Sequence, residues 1–170
     1  MTKKLIKYLS LVFFICMLSS FSFAQEIQLD ICKDEKIGVK FLCNLDWEME
    51  TNEGAMLVII SEDPAVTMTV SKSGSPVLFL EQLNDRTIQA IGNYKEDFKT
   101  EKVLVANKQA MKVEGFSKGY DEIRLLDYYF VFDNAPFGIL FSVNPKGEWD
   151  SYRPLFEKIV ESVDFIKPAQ

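Results

Sequence analysis

A three-layer α/β/α sandwich of the α+β class, built on a mainly antiparallel central sheet, is the fold this sequence predicts. Three observations lead there. Glu122 to Asp133 alternates with apolar residues on both faces: Ile123, Leu125, Tyr129 and Val131 on one, Leu126, Tyr128, Phe130 and Phe132 on the other. A strand of that kind needs cover above and below, and two stretches of helical period, near residues 80–91 and 155–163, can supply it. The 170 residues are 48% hydrophobic and 26% charged, which suits one real core and excludes low complexity or a bare coiled coil.

The chain opens on an export signal. Lys3, Lys4 and Lys7 precede an apolar run, Leu9 to Leu18, and Ser22 and Ala24 place small residues before a cut at Gln25. The run is shorter than the roughly 20 residues that span a bilayer. Residues 1–24 are therefore expected to be removed, leaving residues 25–170 as a single periplasmic or secreted domain without stable membrane insertion. Cys16 lies inside the run and lacks the preceding small residue of a lipidation signal.

Removing three lysines and no acid leaves 16 basic against 25 acidic residues, a net charge of −9. Such a surface is repelled by phosphate backbones and by anionic lipid, so nucleic acid is not an expected partner. Basic proteins and divalent cations suit it better.

Two cysteines remain after the cut, Cys32 and Cys43, and an even count in an exported chain predicts one disulfide. Residues 27–31 and 37–41 both alternate around Lys33 to Lys36. A tight hairpin there would set Cys43 roughly 20 Å from Cys32, whereas a disulfide needs Cα atoms within about 7 Å. The two readings exclude each other, and the oxidising compartment favours the bridge, with residues 25–36 irregular.

The remaining elements follow in order. Val39 to Cys43 reads as a short strand, and Trp47 to Thr51 as another with Trp47 and Met49 inward. Ala55 to Ile60 is apolar throughout, the pattern of a strand covered on both faces. Val66, Met68 and Val70 alternate with threonines. Ser75 and Pro76 start a helix with Leu80, Leu83, Ile88 and Ile91 as its stripe and Gly92 as its stop. Phe98 to Ser117 forms two strands about an Asn107-Lys108 turn. Asn134 to Pro136 turns the chain into Phe137 to Val143, whose odd positions are apolar. Asp150 or Ser151 caps a last helix with Leu155, Phe156, Ile159, Val160 and Val163 as its buried stripe.

This succession resembles the PsbP family, whose type member is an extrinsic subunit of the photosystem II oxygen-evolving complex. Phe41 to Trp47 stands where the family has a strand, a turn and a Trp, and Asp63 to Val70 resembles its inner strand. Ser75 to Ile91 is similar to its helix, and Asn107 to Val113 to its hairpin. Tyr128 to Val143 and Tyr152 to Phe165 are similar to its closing strand pair and helix. The resemblance spans nearly all of residues 37–166 and implies the same sandwich. It includes eukaryotic Ran-binding relatives and exported bacterial proteins. Asn44 stands where the family usually has Pro, and the histidines and clustered lysines used for photosystem docking have no counterpart here.

Histidine is absent, which removes Ser-His-Asp triads, Cys-His pairs and histidine metal sites at once. No nucleophile elbow, phosphate loop or dinucleotide fingerprint occurs, so no catalytic residue and no cofactor are expected. Asp46, Glu48 and Glu50 share a strand face with Glu53 beyond it; calcium wants six to eight convergent oxygens, which a flat strand does not supply. That leaves calcium as the one ion still open. Asp127 sits among apolar neighbours and needs a partner such as Arg124 or Arg153, in a structural ion pair. The abundant Phe and Tyr of residues 128–141 fit core packing. The reading is an exported, non-catalytic module that binds an envelope or secreted protein. The alternatives are a small-molecule or calcium binder using an opening between helix and sheet, or a photosystem II extrinsic subunit.

Overall fold

A computed structural model describes residues 28–74, 80 and 89–166. The export signal, the helix start at Ser75 and Pro76, and Leu83 and Ile88 lie outside the described residues. Among the described residues, alternating sequence yields ten strands: β1 (Asp30–Asp34), β2 (Val39–Cys43), β3 (Glu48–Asn52), β4 (Ala55–Ser61), β5 (Ala65–Lys72), β6 (Lys95–Val105), β7 (Lys108–Ser117), β8 (Tyr120–Phe132), β9 (Ala135–Asn144) and β10 (Asp164–Phe165). Seven of them form a sheet in the order β3-β4-β5-β9-β8-β7-β6, antiparallel throughout.

Strand β8, apolar on both faces, lies inside this sheet beside the central β9, as its pattern requires. Leu126, Tyr128 and Phe130 of β8 and Phe137, Ile139, Phe141 and Val143 of β9 are buried on one face. There they meet helix α1 (Trp149–Ser162), which presents Phe156, Ile159 and Val160. Each fully buried side chain of this size stabilises the fold by about 1.5–3 kcal/mol. Tyr129 and Val131 face the other side and pack with Met111, Val113, Leu80 and Ile91. Residues 89–94 are helical, so cover reaches both faces.

The first face also carries a second sheet that periodicity does not reveal, in the order β1-β2-β10. Its Phe165 ring lies 4.5 Å from that of Phe137 and 5.4 Å from that of Phe130. Gly38 makes the closure feasible: at φ +84°, a Cβ there would stand 2.7 Å from the Ile166 carbonyl oxygen, and the Ile166 N–H donates to the Gly38 carbonyl.

Hairpin and disulfide coexist. The turn falls at residues 35–38, later in the sequence than the charge run suggests, so Cys32 pairs with Phe41 and Asp30 with Cys43. Cys32 and Cys43 are thus diagonal neighbours on one strand face, with Cα atoms 5.8 Å apart and sulfurs bonded. Residues 30–34 are a strand, not irregular chain.

Other elements are displaced for identifiable reasons. The β6–β7 turn centres on Ala106 and Asn107 (φ 47° and 65°), and the β8–β9 turn on Asp133 and Asn134 (φ 51° and 61°). Both have the paired positive φ that matches sheet twist, and Pro136 lies inside β9, opposite Val131. β4 is covered on one face only; Met56 and Val58 are buried while Leu57 is 37% exposed, because β4 lies one strand from the edge. β3 is that edge, so Met49, although on the same face as buried Val58, is 37% exposed. Gly92 lies within the helical residues rather than after them. α1 begins at Trp149, after a 3₁₀ turn at Lys146–Glu148, with Glu148 rather than Asp150 or Ser151 at its N-cap position and no side-chain cap bond. Among the described residues, no helix is long and apolar enough to cross a membrane.

Candidate functional site

The wing of the sheet formed by β6, β7 and β8 extends beyond the cover of α1. There the α1-facing positions change from apolar to charged: Glu101 stands opposite Lys112, and Lys99 opposite Glu114. The result is an open cleft of about 480 Å³ between α1 and the wing, with Tyr128 and Lys112 on its floor, Val103 and Ala106 at the strand edge, and Glu157, Val160 and Glu161 on the helix. A second hollow of about 340 Å³ adjoins it through Lys112 and includes Lys99, Glu114, Phe116, Arg124 and Arg153. Burial, followed by the Glu157 carboxylate, pushes the Tyr128 hydroxyl up to about 12.

Arg124 is fixed rather than free. Its guanidinium pairs with the Glu114 carboxylate and lies between the rings of Trp149, at 4.8 Å, and Phe116, at 5.6 Å. Arg153 donates to Glu157 one helical turn away, at 3.1 Å. Neither arginine reaches Asp127, because Arg124 occupies the α1-facing side of β8 and Asp127 the opposite one.

Asp127 instead meets Lys95, a residue with no mark in the sequence. The Lys95 ammonium stands 2.8 Å from Asp127 Oδ1, with side chains 0% and 1% exposed. Tyr94 and Tyr129 donate their hydroxyls to Oδ2 at 3.0 and 2.9 Å, and the two hydroxyl oxygens lie 2.6 Å apart. Burial raises the carboxyl and lowers the ammonium from their ordinary values, and the contact between them opposes both shifts. Burial, reinforced by the Asp127 carboxylate, carries both tyrosines well above the usual phenol range.

A β-bulge creates this contact. From Lys99 onward the odd residues of β6 face α1, but the register shifts between Glu96 and Lys99, where Asp97 takes φ 48°. The extra residue turns Lys95 to the other face. Gly115 makes room, since a Cβ there would lie 2.7 Å from Phe98 Cβ.

The carboxylates of the Trp47 strand do not converge. Asp46, Glu48, Glu50 and Glu53 are all exposed along the sheet edge. Among the described residues, no group of three or more Cys, Asp or Glu side chains is arranged to hold a metal ion.

No protein-family model and no curated protein matches the sequence. Solved structures do match. Cyanobacterial PsbP from Synechocystis superposes with a TM-score of 0.54 at 15% identity, over 88% of this chain and 99% of that one. The fold is PsbP-like. The yeast Ran-binding protein Mog1p matches with a TM-score of 0.55 at 9% identity, over 84% of this chain and 97% of that one. LpqN of Mycobacterium tuberculosis, described as involved in cell envelope biogenesis, matches with 0.54 at 12% identity over 88% and 96%. These PsbP-like structures share the fold at identities too low to transfer a site. The Cys32–Cys43 disulfide fits an oxidising, extracytoplasmic compartment.

Proposed function

We propose that the mature chain is an exported, non-catalytic PsbP-like module that holds a protein partner of the cell envelope in the cleft beside α1. One observation carries the reading: the sheet runs past its helix and presents charged cross-strand rows, Lys99–Glu114 and Glu101–Lys112, to an open cleft. The smaller hollow is lined by four cationic and three anionic side chains, although the chain as a whole has a net charge of −6. Paired charges of both signs at fixed spacing favour recognition of a complementary protein surface, setting register and encounter rate more than raw affinity. Two PsbP-like structures agree with it: Mog1p is described as Ran-binding and LpqN as acting in envelope biogenesis.

The test is position-specific crosslinking in the exporting cell. A photoreactive residue at Lys99 should give one discrete envelope-protein adduct, lost on Lys112→Glu, while the same group at Glu50 on the far edge should give none. Equal adducts from both positions refute the assignment.

A further inference from the structure

β6 and β8 are not neighbours; β7 lies between them. Lys95 nevertheless spans β7 to reach Asp127, and the pair is sealed from water. Among the described residues, the Lys95 ammonium also donates to the Val113 carbonyl at 3.5 Å and lies 6.0 Å from the centre of the Tyr94 ring. On its Oδ2 side, Asp127 belongs to a cluster with more close contacts than protons. Oδ2 and the hydroxyls of Tyr94 and Tyr129 form a triangle with three contacts of 2.6 to 3.0 Å, and two hydroxyl protons cannot fill three contacts. The two carboxyl oxygens are therefore in unlike settings, Oδ1 against the amine and Oδ2 against two O–H donors.

From this geometry we propose that Lys95 and Asp127 become joined by an intramolecular isopeptide bond. A proton passes from the ammonium to Oδ1 along their hydrogen bond, leaving a neutral amine against a neutral carboxyl. Nζ attacks Cγ, and the charge that develops on Oδ2 is met by the Tyr94 and Tyr129 hydroxyls, placed as an oxyanion hole is placed. A second proton moves from Nζ to Oδ1, the Cγ–Oδ1 bond breaks, and water leaves. Ammonium and carboxylate have become amide and water, with no change of oxidation state and no co-reactant.

Burial favours the neutral forms on both sides, and a dry site keeps water from reversing the step. The contrast with Lys40 and Asp164 shows what decides it. That pair is also close, at 3.1 Å, but its side chains are 42% and 48% exposed; both ions stay hydrated, and neither carboxyl oxygen has a hydroxyl donor against it among the contacts described. Held contact distance replaces a bimolecular encounter and removes the entropic part of the barrier to condensation.

Mass spectrometry of the full chain, exported, purified, reduced and denatured, tests this directly. The mature protein should be lighter than its sequence by one water. Trypsin should leave Lys95 uncut and release the segment from Thr87 to Lys99 branched to the segment from Leu125 to Lys146. Lys95→Arg should restore the sequence mass, and wild-type protein serves as the decisive sample if that variant does not fold. A wild-type mass equal to the sequence, or a lost water without the branched peptide, overturns the proposal.

Discussion

Lys95→Met is the perturbation whose consequence the structure defines most sharply. Methionine nearly matches the length of the lysine stem and keeps its apolar contacts, so the change removes the cation and little else. Asp127 is left 0% exposed with Tyr94 and Tyr129 as its partners among the described residues. Removing one member of a buried pair costs about 3–5 kcal/mol, because the remaining charge has neither water nor counterion. The loss must depend on pH. Burial without the ammonium holds the native carboxyl above its ordinary value, so the folded variant retains a proton that the unfolded chain releases near pH 4. Stability contributed by that proton is fully present below pH 4 and is lost as pH rises, at about 1.4 kcal/mol per unit until the folded-state value is passed. Urea unfolding at pH 4 and pH 7 reads both quantities. A covalent link to Lys95 in the wild type adds to the loss without reversing its trend. A cost under about 1 kcal/mol at pH 7, or the same cost at both pH values, would refute the reasoning.

Two further expectations concern the turns and the bridge. Cys32→Ala with Cys43→Ala opens a loop of sequence separation 11, and the chain-entropy estimate is a loss of about 3 kcal/mol together with a larger urea m-value; an unchanged midpoint would contradict it. Ala106→Gly relieves a non-glycine residue at φ 47° and should raise stability by up to about 1 kcal/mol, measured as a higher thermal midpoint, whereas a lower one would show that the turn is not strained.

Much of the scaffold was legible because it is local. The odd apolar positions of Phe137 to Val143 and the spacing of Phe156, Ile159, Val160 and Val163 each follow from a strand or helix burying one side. Both faces of β8 proved to be covered, one by α1 and β10, the other by Leu80 and Ile91. The opening between helix and sheet was legible as a possibility of the layered fold, but its lining was not. Lys99, Glu101 and Lys112 look like any solvated strand charges until the register sets them opposite one another beyond the end of the helix cover.

By itself, the order of residues determined most strands of the large sheet and the last helix, that β8 is covered on both sides, and that Asp127 needs a partner. These are consequences of period, and period is set by neighbours along the chain. Which cation answers Asp127, and how Cys32 meets Cys43 within a hairpin, were decided only in three dimensions. A bulge of one residue near Asp97 sends Lys95 to the opposite face of the sheet, and a turn two residues later than its charge run makes the cysteines diagonal neighbours. Strand side chains alternate with period two, so a single-residue shift exchanges the faces of everything beyond it. That shift is fixed by packing across the β6–β7 hairpin, where Gly115 admits Phe98.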